Sequence, residues 1–190
     1  LSNGKQILRI DYEEILDNWK PRSISELEIK NFDIIILSDY NKGVLNNDWF
    51  KNLKFQNIIA DPKKNNFSFY SNVKIITPNL NELQRTTKVE LKDFDSIQKA
   101  CNEILVKTNL EYIIAKMGEK GMMVVGKNNF LKIIDPHFVK KPDVTGAGDT
   151  VIAAFSLAYA QYEDVELAAK VANAAASIVV SKMGTATVKI

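Results

Sequence analysis

Four short apolar runs recur along the chain, and each ends in polar residues. They are Phe32-Asp33-Ile34-Ile35-Ile36-Leu37 before Ser38-Asp39-Tyr40, Ile58-Ile59-Ala60 before Asp61-Pro62, Val73-Lys74-Ile75-Ile76 before Thr77-Pro78-Asn79, and Tyr112-Ile113-Ile114-Ala115 before Lys116-Met117-Gly118. Runs this short and this continuous suit strands covered on both faces. Residues 46–53, 80–86 and 93–108 read as helices between them. Strand, polar turn and helix in alternation predict a largely parallel α/β sheet. Residues 121–126 and 130–134 read as a hairpin around Lys127-Asn128-Asn129, and two helices, 147–161 and 164–182, follow. A strand-like pattern also opens the chain before Tyr12, with charged helix and loop from 11 to 30.

In open α/β sheets, ligands collect outside the carboxyl ends of the strands. Asp39, Asp61, Lys63, Asn79 and Gly118 all fall at such ends, which predicts a shared cleft. The densest chemistry lies further on, in Asp143-Val144-Thr145-Gly146-Ala147-Gly148-Asp149-Thr150. A helix starting near Ala147 has first-turn amides without intrahelical partners. Those of Ala147, Gly148 and Asp149, with the positive end of the helix dipole, suit phosphate oxygens. Gly146 and Gly148 carry no Cβ to block close approach. Asp149 stands where an incoming hydroxyl would lie, and its carboxylate could take that hydroxyl's proton. Simple capping would explain the same turn and aspartate.

Composition removes competing classes. The chain has 190 residues, 46% hydrophobic and 25% charged, enough for one domain with one sizeable core. A net charge of +2 gives no general attraction to nucleic acid or membrane. Cys101 is the only cysteine, which rules out an internal disulfide and fits a reducing cytoplasm. His137 is the only histidine and sits beside Pro136 in an expected loop, a poor setting for Ser-His-Asp catalysis. No apolar run reaches spanning length, and no Gly-x-x-x-x-Gly-Lys-Ser/Thr loop is present. Leu1 is not a methionine and strand patterning begins almost at once, so the sequence is expected to be the middle of a larger protein.

Three further motifs stand out. Asn79-Leu80-Asn81-Glu82 is a capping box by spacing, and a first-turn carboxylate can also hold water on a magnesium ion. Lys116-Met117-Gly118-Glu119-Lys120-Gly121 joins two strands as a turn built on two glycines. Asn173 is a polar exception in the close-packed Ala172-Asn173-Ala174-Ala175-Ala176.

The D-V-T-G-A-G-D-T stretch resembles the second signature of the ribokinase-like, or PfkB-type, carbohydrate kinases. That resemblance implies a three-layer α/β/α fold with a mostly parallel sheet, present here as the C-terminal part of the domain. It implies ATP and Mg2+, an anion hole at Gly146, Ala147 and Gly148, and Asp149 as catalytic base. It places Glu82 at the metal, and Asn79, Gly118 and Asn173 around the nucleotide. Ser38-Asp39-Tyr40-Asn41-Lys42-Gly43, Asp61-Pro62-Lys63, Leu8-Arg9-Ile10-Asp11-Tyr12 and Met183-Gly184-Thr185-Ala186-Thr187-Val188 together resemble the heptose 7-phosphate kinase branch. A phosphorylated sugar needs cations besides groups for hydroxyls, so Arg9, Asp39, Lys42, Asp61 and Lys63 become candidate substrate contacts. Lys64 replaces the glycine expected after Asp-Pro-Lys, and Tyr12 replaces a phenylalanine.

Kinases of this kind begin with a further segment of roughly a hundred residues that nothing here matches, and bifunctional ones continue into a nucleotidyltransferase domain. Residues 1–190 are therefore expected to be the nucleotide-binding, base-bearing part of a kinase domain. The expected partners are ATP and a sugar phosphate, and a homo-oligomer is a further expectation, with exposed apolar surface as its cause. A kinase for ribose, fructose or a hexose phosphate is the alternative within enzymes. A noncatalytic nucleotide-binding fragment is the alternative outside them.

Overall fold

The computed structural model of the protein describes residues 12–16, 19, 31–50, 53, 55–140 and 142–188, with the backbone alone for Asn47 and Asp48. The expected opening strand and most of the segment up to residue 30 lie outside the described residues. Six strands form one sheet in sequence order: β1 (Ile35–Ser38), β2 (Ile58–Asp61), β3 (Ile75–Ile76), β4 (Tyr112–Lys116), β5 (Met122–Gly126) and β6 (Phe130–Ile134). Pairing is parallel from β1 to β4 and antiparallel from β4 to β6.

Alternation of side chains along each strand divides the core in two. Ile58, Ala60, Ile113, Ala115, Met123 and Val125 pack on one face with Leu83 of α2 (Leu80–Thr87) and Ile97, Cys101 and Leu105 of α3 (Phe94–Lys107). Ile59, Ile75, Ile114, Met122 and Val124 pack on the other. There they meet Val151, Ile152 and Phe155 of α4 (Ala147–Tyr162) and Ala168, Ala169 and Ala172 of α5 (Val165–Val180). α5 buries a face of small alanines, whereas α4 buries the larger Val151, Ile152, Phe155 and Tyr159. The result is three layers, α/β/α.

Local signals start the helices where polar side chains can satisfy first-turn amides. Asn79 and Glu82 form a reciprocal capping box on α2, Asp93 and Ser96 form one on α3, and the Asp164 carboxylate accepts from Glu166 and Leu167 amides on α5. One expectation changes. The first apolar run was expected to be covered on both faces, but Ile36 is 44% exposed, because β1 is the edge strand of the described sheet. Of the helix expected over residues 46–53, the described residues show α1 (Asn47–Phe50), and residues 51 and 52 lie outside them. Among the described residues no helix is long and apolar enough to cross a membrane.

Candidate active site

The parallel strands β1 to β4 deliver Asp39, Asp61, Thr77 and Lys116 to one edge of the sheet, as the sequence predicts for the carboxyl ends. The N-terminus of α4 belongs to the same edge, because a Cβ placed on Gly148 would lie 3.7 Å from the Lys116 Nζ.

Gly146 precedes α4 with φ at 76°, a conformation that glycine adopts without a Cβ penalty. The Ala147 amide donates to the Val144 carbonyl at 3.2 Å, and the first helical bond runs from the Thr150 amide to the Gly146 carbonyl at 3.0 Å. The amides of Gly148 and Asp149 find no acceptor among the described residues. The candidate anion hole thus has two available donors, and the Ala147 amide, expected as a third, is used by the turn. Asp143 pins that turn. Its Oδ1 accepts from the Thr145 amide and hydroxyl at 3.0 and 2.7 Å, and its Oδ2 accepts from the Gly184 amide at 2.8 Å. The Thr145 hydroxyl foremost, with the two amides, holds the Asp143 carboxyl below the usual carboxylate range.

Asp149 is exposed, and the Tyr40 hydroxyl donates to both of its carboxylate oxygens at 3.1 Å. No lysine or arginine pairs with it among the described residues. The carboxylate therefore faces outward beside amide donors, as a proton acceptor requires.

From Gly148 a charged chain crosses the strand ends. The Lys116 ammonium donates to Asp61 Oδ1 at 2.5 Å, where the Thr77 hydroxyl also donates at 3.1 Å. Lys63 bridges Asp61 Oδ2 at 3.0 Å and Glu82 Oε1 at 2.6 Å. Burial pushes the Asp61 carboxyl up, but Lys116 and then Lys63 outweigh it and hold the group below its ordinary value. Burial likewise lowers Lys63, and the hydrogen bond to Glu82 with the charge of Asp61 brings it above its ordinary value. Both groups are therefore ionised at neutral pH.

These partners revise several assignments. Glu82 was expected at the metal, yet its Oε2 accepts from the Asn79 amide at 2.8 Å and its Oε1 holds Lys63. The Lys63 side-chain ammonium group lies against Glu82 Oε1, and no group of three or more His, Cys, Asp or Glu gathers among the described residues. The role expected of Glu82, holding water on a Mg2+ ion, would share its carboxylate with the Asn79 amide on Oε2 and with Lys63 on Oε1. Lys63 and Asp61, expected to touch substrate, pair with each other at 3.0 Å. Asp39, expected to touch substrate, is 2% exposed, with Oδ1 accepting from the Asn41 amide at 2.6 Å and Oδ2 from the Tyr70 hydroxyl at 2.5 Å, so it anchors the loop after β1. Lys42 pairs with Glu13 at 2.7 Å, and Arg9 lies outside the described residues.

Asn79 caps α2 through its own Oδ1, which accepts from the Glu82 amide at 2.9 Å. Gly118 has φ at 63° with open space around it, whereas a Cβ on Gly121 would overlap the Ile134 carbonyl oxygen. Asn173 is buried and donates to the Asp135 carbonyl at 2.7 Å, which ties α5 to the residue after β6. That tie gives its amide nitrogen an internal role.

Sequence reasoning missed Lys116, Tyr40, Tyr70 and Thr77. The usable signal for Lys116 was a lysine closing an otherwise apolar strand at the ligand edge. Tyr70 gave no such signal, because its hydroxyl reaches Asp39 across 31 positions of sequence. A separate cleft of about 530 Å3, lined by Asn57, Lys74 and Glu111 among others, opens at the opposite ends of the strands and holds none of these residues.

Comparison with known proteins bears on the family and the fold. Residues 6–190 match the family described as pfkB family carbohydrate kinase. The bifunctional protein HldE of Campylobacter curvus is 33% identical over 197 residues, covering 98% of this chain and 42% of its own. That of Aliarcobacter butzleri is 36% identical over 199 residues, covering 98% and 41%. The chain thus spans about two fifths of the length of the curated relatives it matches. A ribokinase from Thermotoga maritima superposes with a TM-score of 0.70 at 27% identity, covering 85% of this chain and 55% of its own. A ribokinase from Arabidopsis thaliana, solved with ribose and ATP, shares the fold with a TM-score of 0.71 at 24% identity, covering 87% and 56%.

Proposed function

Since this chain belongs to the pfkB family of carbohydrate kinases, we propose that it is the nucleotide-binding, base-bearing part of a kinase that moves the γ-phosphoryl group of ATP to a sugar hydroxyl. The observation that carries this reading is the exposed Asp149 carboxylate beside the unused Gly148 and Asp149 amides, with the Lys116 ammonium next to them. Asp149 takes the hydroxyl proton as the sugar oxygen bonds to the γ-phosphorus, and the bond from that phosphorus to the oxygen of ADP breaks. Charge developing on the transferred oxygens meets the two amides, the positive end of α4 and Lys116. ATP enters as its magnesium complex, and no step here depends on Glu82 binding the metal.

For the substrate we infer heptose 7-phosphate, phosphorylated at the anomeric hydroxyl to the 1,7-bisphosphate, as in the making of ADP-heptose for lipopolysaccharide. The Ser38–Gly43, Asp61–Lys63 and Gly184–Val188 motifs support it, as do relatives named HldE. A nucleotidyltransferase function elsewhere in the full protein fits their description as bifunctional. A second reading, a kinase for an unphosphorylated sugar, is favoured by one observation: Lys42 and Lys63 already pair with Glu13, Asp61 and Glu82. Assay of the full-length protein against heptose 7-phosphate, ribose, fructose and hexose phosphates separates the two. For the chemistry, Asp149→Asn is expected to lower turnover by about 10²- to 10⁴-fold with ATP affinity little changed. Near-normal turnover would reject the base assignment.

A further inference from the structure

The loop after β1 holds a second hydroxyl against the proposed base. Asp39, clamped by Tyr70 and by the Asn41 amide, fixes the backbone beside Tyr40 and leaves its side chain 57% exposed. The phenol reaches across to Asp149 and donates to both carboxylate oxygens at 3.1 Å, while the Lys42 ammonium lies 5.9 Å from the ring centroid. An O–H donor on a carboxylate is what a substrate hydroxyl would present there.

We propose that the Tyr40 hydroxyl stands in for the acceptor hydroxyl on Asp149, so that the sugar displaces it on binding and water must compete with it for the base until then. The inference rests on Asp149 being the base. A kinase holding ATP without sugar faces a competing reaction. A water oxygen bonds to the γ-phosphorus, its proton passes to Asp149, and the bond to the ADP oxygen breaks, leaving ADP and phosphate. A phenol cannot be phosphorylated in this position unless its oxygen reaches the phosphorus, but it does occupy the proton-accepting oxygens. Tyr40 is held by one shared hydrogen bond at an exposed site, so a sugar hydroxyl with further contacts can replace it. The exchange costs little because one O–H···carboxylate bond is traded for another. Tyr40 is thus a guarding and positioning residue, and its loss is expected to open the base to water.

The test uses the full-length protein with ATP as its magnesium complex. Tyr40→Phe removes the donor and keeps the ring. ADP release without sugar is expected to rise about fivefold, the factor that one modest hydrogen bond of this kind is worth. The apparent KM for heptose 7-phosphate is expected to fall by a similar factor. The double variant Tyr40→Phe, Asp149→Asn is expected to lose the extra hydrolysis. Unchanged sugar-free hydrolysis in Tyr40→Phe overturns the proposal, and so does extra hydrolysis that survives Asp149→Asn. Sugar phosphorylation that survives Asp149→Asn alone removes the base assignment, a separate failure read in a separate variant.

Discussion

Replacing Lys116 by methionine takes one ammonium out of the charged chain at the strand ends and keeps most of the aliphatic packing. Its partner Asp61 is 4% exposed, and the Lys116 side chain is itself only 13% exposed, so solvent screens this pair little. Removing one member of a buried pair costs about 3–5 kcal/mol when the other charge is left uncompensated. Here Lys63 at 3.0 Å and the Thr77 hydroxyl at 3.1 Å remain on Asp61, which brings the expected loss to about 2–3 kcal/mol. Asp61→Asn removes the stranded charge, so the double variant should be less destabilised than the two single losses added together. A coupling energy of about 1.5 kcal/mol is expected. Hydrogen exchange of peptides covering β2 and β4 in the full-length protein, followed through urea, reads these local free energies. Because Lys116 Nζ also lies beside Gly148, Lys116→Met should weaken ATP binding more than Asp61→Asn does. Coupling below about 0.5 kcal/mol, or equal effects of the two variants on ATP, would refute the view that Lys116 links the anion hole to Asp61.

Two further expectations concern stability. Asp61 is held below its ordinary value of 3.8, so its contribution is complete above that pH and is lost as pH falls through the lowered folded value. Lys63 is held above its ordinary value of 10.5, so its contribution is complete below that pH and is lost as pH rises through the raised folded value. Thermal unfolding against pH should show the network's full contribution between these limits, and Lys63→Met should flatten the alkaline fall; an unchanged alkaline limb contradicts the assignment. The two turn glycines should also separate. Gly121→Ala meets the Ile134 carbonyl as well as a left-handed backbone, whereas Gly118→Ala meets only the backbone cost of about 1 kcal/mol. Denaturation midpoints that fall equally for both would show that the Ile134 contact relaxes freely.

The order of strands and helices was legible in the sequence because it is carried by local pattern. Continuous apolar runs marked β2 and β4, capping residues Asn79, Asp93 and Asp164 marked helix starts, and Gly146 marked the turn into α4. The candidate anion hole was legible for the same reason, since a helix start and its unused amides are properties of a few consecutive residues. Side-chain partnerships across the sheet were not. Whether Lys63 faces a phosphate or Glu82, whether Asp39 meets a sugar or Tyr70, and whether Lys116 lies in a plain turn or beside Gly148 depend on which strand ends become neighbours.

Sequence by itself determined the periodicity, the glycine turn and the presence of an aspartate at the head of a helix, all of which follow from backbone rules acting over a few residues. Only the tertiary structure decided which charges cancel. Parallel pairing of β2, β3 and β4 sets Asp61, Thr77 and Lys116 side by side, and the electrostatic energy of a group depends on distance in space, over which its position along the chain has no control. The same holds for Tyr40 and Asp149, 109 positions apart and joined by hydrogen bonds.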